Sequence, residues 1–443
     1  MKNKSRWLLA AGLFLAAVMI GVGGSLWVIT SSSIPIMQST EIGAAGPIKI
    51  EFDEQMRVDS VEQRIDIKPA DNYRLEWRSN RLLIWPQTRW QAGEEINIAI
   101  NKGSRTTDNR VIRQIFTNSV QVHAAEILYL SPAMDASQVW KYQLGGGGAG
   151  FLDPVSGGVE ISPSGDGSKF IVSRLNGDGG ADLWTLSRDG GAEIQLVNCG
   201  ATWCGELSWQ PGESRFAYSQ YQNKGRGAPR IYTYDFETGT SNPVMTDPTI
   251  LASHPVFSPE GFYLAFYNSS QNGIAILDVR TSEMQILQTA MEQAVTWLPD
   301  SSGFLFLHSL ALEGIPIEKV FRYDLSTRSS SIAVGTEDDA LSYEQPAISY
   351  DGKWIAVPVR QVEGGFSSQI WLFDGQGNEI QAITDEPEYT HGGLTWSPDG
   401  QTLLFQRLKA NDSPPMPDVL TWNIQTNRTQ IIAGNANGAE WLP

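Results

Sequence analysis

Gly438-Ala439-Glu440-Trp441-Leu442-Pro443, at the end of this 443-residue chain, opens a unit that occurs six times before it and here stops after its first strand. The earlier copies are Ile161-Ser162-Pro163, Trp209-Gln210-Pro211, Phe257-Ser258-Pro259-Glu260-Gly261, Trp297-Leu298-Pro299-Asp300, Ile348-Ser349-Tyr350-Asp351-Gly352 and Trp396-Ser397-Pro398-Asp399-Gly400. Measured at the Pro, or at Tyr350 in one copy, the spacings to Pro443 are 48, 48, 40, 51, 48 and 45 residues, the length of a four-stranded propeller blade. A repeat begun at one end of the sequence and completed at the other predicts a β-propeller whose ring closes by borrowing a strand.

Each copy is followed by an alternating run that ends in an Asx or Gly turn: Asp182–Leu186, Ile231–Asp235, Ile274–Asp278, Val320–Asp324, Ile370–Asp374 and Val419–Asn423. Period-two alternation of β-branched and aromatic residues between turn formers is the pattern of a strand. A seventh such run, Gln138–Tyr142, follows Ile127–Leu130 with no inner strand before them. Ala439-Glu440-Trp441 supplies it, which gives six internal blades and one composite blade, with six or eight blades as the alternatives. Closure of this kind leaves no long free edge.

Residues upstream divide differently. Ile48–Phe52, Arg81–Pro86 and Glu95–Ile100 alternate cleanly, and no helical period interrupts them, so residues 36–123 are expected to form a β-sandwich and residues 124–443 the propeller. Residues 1–35 hold Lys2, Lys4 and Arg6 and then an uncharged run from Trp7 to Ile29. That run is long enough to span a bilayer, and the flanking charge places its start in the cytoplasm. The small residues Gly21, Gly23, Gly24 and Ser25 allow a cleaved signal peptide instead. Either way residues 36–443 are expected outside the cytoplasm, as an all-β protein held at the membrane by one helix or secreted.

The formal charge of -17 argues against nucleic acid or anionic lipid as a partner. Cys199 and Cys204, the two cysteines, are expected to form a disulfide in an exported protein; a zinc site wants about four ligands and no second Cys/His pair lies nearby. Asn176–Asp182 lacks the alternating ligands of a calcium loop and reads as a hairpin turn, as does Gly145–Gly148.

Two resemblances rest on these residues. Ile50–Val61, followed by Ile67-Lys68-Pro69, Trp77, Leu83–Pro86 and Gly93–Ile96, resembles the Ig-like domain of bacterial S-layer-type proteins. The repeats, Trp396–Gly400 above all, resemble the TolB-like (WD40-like) propeller family, whose fold is also the amino-terminal half of prolyl oligopeptidase-type peptidases. The family's best-known propeller has six blades where seven are counted here. A peptidase would need a Gly-x-Ser-x-Gly elbow with Asp and His after it, and no such pentapeptide occurs.

Residues just before each inner strand should face the propeller axis. Counting back from the strand aromatic gives Gly158, Glu206, His254, Ala294, Gln345, Gly393 and Gly438. Glu206, His254, Gln345 and His391 are the candidates to converge on one ligand at the channel mouth. Some TolB-related seven-bladed propellers are pectate-fragment lyases with a metal held by His and Gln, which the resemblance extends to this region; the plainer reading is polar residues that hydrate the channel. Trp77, Trp85 and Trp90 could stack on sugars, though Trp77 and Trp85 alternate like core residues. The expected function is a binding or scaffold protein with a protein or cell-wall glycan partner and no cofactor or resident metal. The alternative is a metal-assisted carbohydrate-active enzyme.

Overall fold

Alternation decides the strands of the first compact unit. Ile48, Ile50 and Phe52 are buried while Lys49 and Glu51 between them are not, because successive side chains of a strand face opposite sides. The computed structural model describes residues 35–443 except 38, 39, 70, 71, 88, 135, 136, 147, 153–155, 223–227, 363, 364, 366, 411 and 412. The expected membrane segment Trp7–Ile29 lies outside the described residues, and among the described residues no helix is long and apolar enough to cross a membrane.

Of the described residues this unit comprises 48–84 and 95–120 with 35–37 and 40. One sheet runs Pro35–Met37, Ile48–Phe52, Arg81–Pro86, Tyr73–Arg78, and a second joins Phe116–Val122, Glu95–Ile100 and Ile65–Lys68. Ile96, Ile98 and Ile100 are buried along one face of the second sheet, and Phe52 stacks on Trp77 with ring centroids 5.6 Å apart. Among the described residues one short helix, Val58–Glu62, interrupts the strands.

The second unit holds residues 121–443 and also Glu41–Pro47 and Trp85–Glu94, so its boundary does not follow the expected division at 123. Both stretches are mostly irregular, without a period that could have betrayed them. Trp85 and Trp90 are buried here, which removes them as sugar platforms.

The strands of the second unit form successive antiparallel groups, each a blade. The first blade is Gly158–Pro163, Lys169–Leu175, Ala181–Ser187 and Ile194–Val197, and the second Trp203–Trp209, Arg215–Tyr221, Pro229–Asp235 and Thr240–Pro243. The third starts at Ala252–Phe257, the fourth at Thr296–Trp297, the fifth at Leu341–Tyr343 with Ala347–Ile348, and the sixth at Tyr389–Trp396. In the composite blade Asn437–Leu442 pairs antiparallel with Glu126–Ser131, Trp441 opposite Ile127, as the repeat predicts.

Second strands are apolar on both faces, Phe170, Ile171 and Val172 being fully buried, because each blade packs between two others. Ile171 and Leu183 of the first blade meet Phe216 and Tyr218 of the second. Similar clusters join second to third, third to fourth, fourth to fifth and fifth to sixth. Leu404 and Val419 of the sixth then meet Ile127 and Trp441 of the composite blade, and its Leu128 and Leu442 meet Ile161 and Phe170 of the first.

The repeated motif residues have repeated tasks. The indole N–H groups of Trp209, Trp297, Trp396 and Trp441 donate across to the carbonyls of Ser162, Val256, Ala347 and Thr395 on the preceding inner strand, at 3.0–3.2 Å. In the turns, Ser349 and Ser397 donate to Asp351 and Asp399 and accept the backbone N–H of Trp354 and Thr402. The Pro-Asp-Gly turn is thereby closed by its own side chains.

At the seam, Arg188 donates to the carbonyls of Pro443 (2.5 Å), Gly167 (3.0 Å) and Ala124 (3.0 Å) and pairs with Glu126 at 2.9 Å. One side chain, 8% exposed, thus joins the last strand to the start of the composite blade and to the first blade's turn.

Candidate functional site

Inner strands of the second, third, sixth and composite blades each carry a β-bulge just after their start. A bulge puts one extra residue on a strand and re-aims a side chain. The residues counted from the sequence fall on it: Glu206, His254, Gly393 and Gly438 all have φ between 54° and 60°. Glycine takes that conformation freely, whereas Glu206 and His254 hold it at a cost of about 1 kcal/mol or more each, and backbone strain in non-glycine residues concentrates at functional positions.

Glu206 and His254 lie together. His254 Nδ1 is 3.0 Å from Glu206 Oε1, and the backbone N–H of His254 donates to Glu206 Oε2 at 2.8 Å. Tyr221 donates its hydroxyl to Glu206 Oε1 at 2.7 Å. On the far side His254 Nε2 is 3.9 Å from Glu292, which accepts the Ser253 hydroxyl at 2.6 Å. Side-chain exposure rises along this row, 26% for Glu206, 29% for His254 and 50% for Glu292.

Burial pushes the Glu206 carboxyl up, but the hydrogen bond from His254, the attraction of its ring and the Ser219 and Tyr221 hydroxyls outweigh it and bring it down to about 2. His254 is disfavoured as a cation by burial, yet Glu206 and then Glu292 and Glu160 raise it above its ordinary value. Each partner thus favours the charged form of the other, the imidazolium on His254 and the carboxylate on Glu206. Burial and the neighbouring Glu206 charge raise the Tyr221 phenol and keep it a donor.

Behind this row lie carboxylates that the sequence reading did not single out. Glu160 accepts the backbone N–H groups of Glu206 (2.6 Å) and Leu207 (2.8 Å) from the next blade, and burial nevertheless raises its pKa. Glu440 is raised to about 8 by burial and by the Glu160 charge. Their signal was present, since Gly158-Val159-Glu160 and Gly438-Ala439-Glu440 place Glu at the same offset in two copies.

The other two candidates do not join the pair. Gln345 is exposed and donates to the Thr296 hydroxyl at 2.9 Å. His391 is corrected from mouth to core: it is 2% exposed, Nδ1 is 2.9 Å from the Ser368 carbonyl and Nε2 3.1 Å from Glu386, itself paired with Arg407. Cys199 and Cys204 are disulfide-bonded, tying the link after the first blade to the second blade's inner strand. Among the described residues no group of three His, Cys, Asp or Glu is placed to hold a metal ion.

No family model and no curated protein matches the chain. Solved structures do. A structure of prolyl endopeptidases is similar over 79% of this chain and 49% of that one, at 13% identity and a TM-score of 0.52, so the chain spans about half the length of that enzyme. TolB from Acinetobacter baumannii is similar over 86% of this chain and 83% of that one, at 15% identity and a TM-score of 0.45. An oligogalacturonate lyase in complex with manganese is similar over 63% and 74%, at 13% identity and a TM-score of 0.43. At 13% identity the likeness to the prolyl endopeptidases is one of fold alone, and the propeller expected from the repeats is the fold that the sheets form.

Proposed function

We propose that this chain is an extracytoplasmic binding or scaffold protein in which a closed ring of seven blades presents a surface to a protein or cell-wall glycan partner. Residues 36–123, with their resemblance to a bacterial Ig-like domain, serve as a spacer, and Trp7–Ile29 holds the chain at the membrane. The ring of seven is supported by the unbroken circuit of apolar clusters from the first blade through the sixth to the composite blade and back.

One observation carries the binding reading. The carboxylates at the mouth and just behind it are spent on the chain itself, Glu160 on two backbone N–H groups of the next blade and Glu206 on Tyr221, the His254 backbone and the His254 ring. A carboxylate has about four lone-pair sites, and those filled by blade-to-blade contacts are not free for a substrate or an ion. The test is the melting temperature of the full chain against divalent cations and acidic oligosaccharides, with His254→Asn as control. A ligand that binds only the folded state must raise it, and a flat panel is expected.

A second reading, the metal-assisted carbohydrate-active enzyme, is favoured by the open His254–Glu292 side of the row. A rise of several degrees with one metal, absent in His254→Asn, decides for it.

A further inference from the structure

We infer that Glu41–Pro47 and Trp85–Glu94 form a strap across the end of the propeller channel that carries the Pro-Asp-Gly turns, latched by Arg89, so that ligands enter only at the Glu206–His254 end. The inference rests on the ring of seven blades but not on what the propeller binds.

Each inner strand begins at the mouth, where Glu206 and His254 sit, and ends in its turn, so the turns mark the opposite end. The strap touches those turns. The Gly43 N–H donates to the Asp166 carbonyl of the first blade at 2.8 Å, while two residues on the Ala45 carbonyl accepts the Tyr350 hydroxyl of the fifth at 3.5 Å. Going round by the composite and sixth blades, the first and fifth are three steps apart in a ring of seven, nearly opposite. Residues two apart in sequence span only about 7 Å, so even with the reach of a tyrosine they meet both turns only near the axis.

The second segment completes the strap. Trp90 donates its backbone N–H to the Ala44 carbonyl at 3.0 Å and its indole N–H to the Gly46 carbonyl at 2.9 Å. Next to it Arg89 lies over the Tyr350 ring, 4.0 Å from its centre, and donates to the Ser397 carbonyl of the sixth blade at 3.4 Å. Burial brings the guanidinium down to about 10 against the attraction of Tyr350, Asp399 and Asp351. Its Nη2 is buried with no hydrogen-bond partner among the described residues. A buried donor left unmade costs free energy, which makes the latch one that can be released. Gly43 fits closely on the seam, since a Cβ there would lie 2.4 Å from Pro443 Cβ.

Arg89→Leu in the full chain removes the latch, and Gly43→Ala lifts the other segment independently. Hydrogen exchange read by mass spectrometry is expected to rise at least tenfold in 41–47 and 85–94 in each variant, with Phe170–Val172 unchanged. Carbodiimide labelling of Glu160 and Glu440, which lie deeper than the mouth, is expected to rise severalfold while that of Glu292 stays constant. Faster exchange without added labelling would show that the segments do not close the channel; unchanged exchange in both variants would show that nothing is latched. Loss of the whole fold in both would make the segments part of the propeller core, which also overturns the strap.

Discussion

The seam and the mouth draw carboxylates from the same row of inner strands, yet hold them in opposite protonation states. At the seam Glu440, buried beside the Glu160 charge, is raised to about 8. At the mouth Glu206 is also buried, but a ring N–H and hydroxyl donors bring it to about 2. Desolvation acts on both, so donors decide the sign. The seam uses its side chains to close the chain and the mouth to fix a charge pair, and substitutions should separate these tasks.

The largest effect is expected at the seam. Arg188→Ala takes their shared donor from three carbonyls and from Glu126, which keeps Lys141 at 3.3 Å, and losing several buried hydrogen bonds to one charged group costs about 3 kcal/mol. Chemical denaturation should show that loss. If it proves to be under about 1 kcal/mol, the apolar clusters alone close the ring.

Glu440→Gln should act in the other direction. The folded pKa of Glu440 lies above its ordinary 4.5, so the contribution of its protonated form is whole below pH 4.5 and is lost as pH rises through about 8. Gln keeps the shape without the proton. The variant should match the parent at pH 4 and be more stable by about 2 kcal/mol at pH 9, measured by urea midpoints across pH. A constant difference would mean that Glu440 stays solvated.

Trp396→Phe keeps a large aromatic ring in the contact between fifth and sixth blades and removes one donor to the Ala347 carbonyl. About 1 kcal/mol should be lost. A similar loss for the matching change at Trp441, whose indole serves the composite blade, would show that the seam contact equals an internal one.

The repeat made these tryptophans legible, because one residue type at one offset marked one task. The strand that closes the ring was legible for the same reason. Glu206 and His254 were found by counting back from the aromatic, but the count could not reveal that the position is a left-handed bulge residue, since a bulge is a property of pairing. His391 was misplaced because the sixth inner strand starts early, at Tyr389. Two residues before the bulge, the histidine packs under Phe405, 6.0 Å between ring centres, and its nitrogens meet the Ser368 carbonyl of the fifth blade and Glu386 of the link between the blades. In the fourth blade the inner strand is only Thr296–Trp297, and the Gln293 amide pairs both ways with the Leu307 backbone at 2.5 and 2.6 Å. A side chain standing in for a strand leaves no period-two trace. Glu41–Pro47 and Trp85–Glu94 escaped for a related reason, as most of their packing is made without regular strands.

The smallest effect is expected at the mouth, and its pH dependence identifies it. Asn tolerates the left-handed backbone that His254 adopts, so His254→Asn removes the ion pair without adding much strain. Glu206, depressed to about 2, contributes fully above pH 4.5 and loses that contribution as pH falls toward 2. His254, raised above 6.5, contributes fully below pH 6.5 and loses its part as pH rises past its folded value. The parent should therefore exceed the variant most between pH 4.5 and 6.5, by about 1 kcal/mol given the partial exposure of both side chains, and the gap should narrow on either side. Glu440→Gln gives a one-sided profile where this one is two-sided. A flat His254→Asn profile would mean that the imidazole is neutral against Glu206, and the mouth would then hold a carboxylate with its charge unmatched, the arrangement a cationic ligand would require.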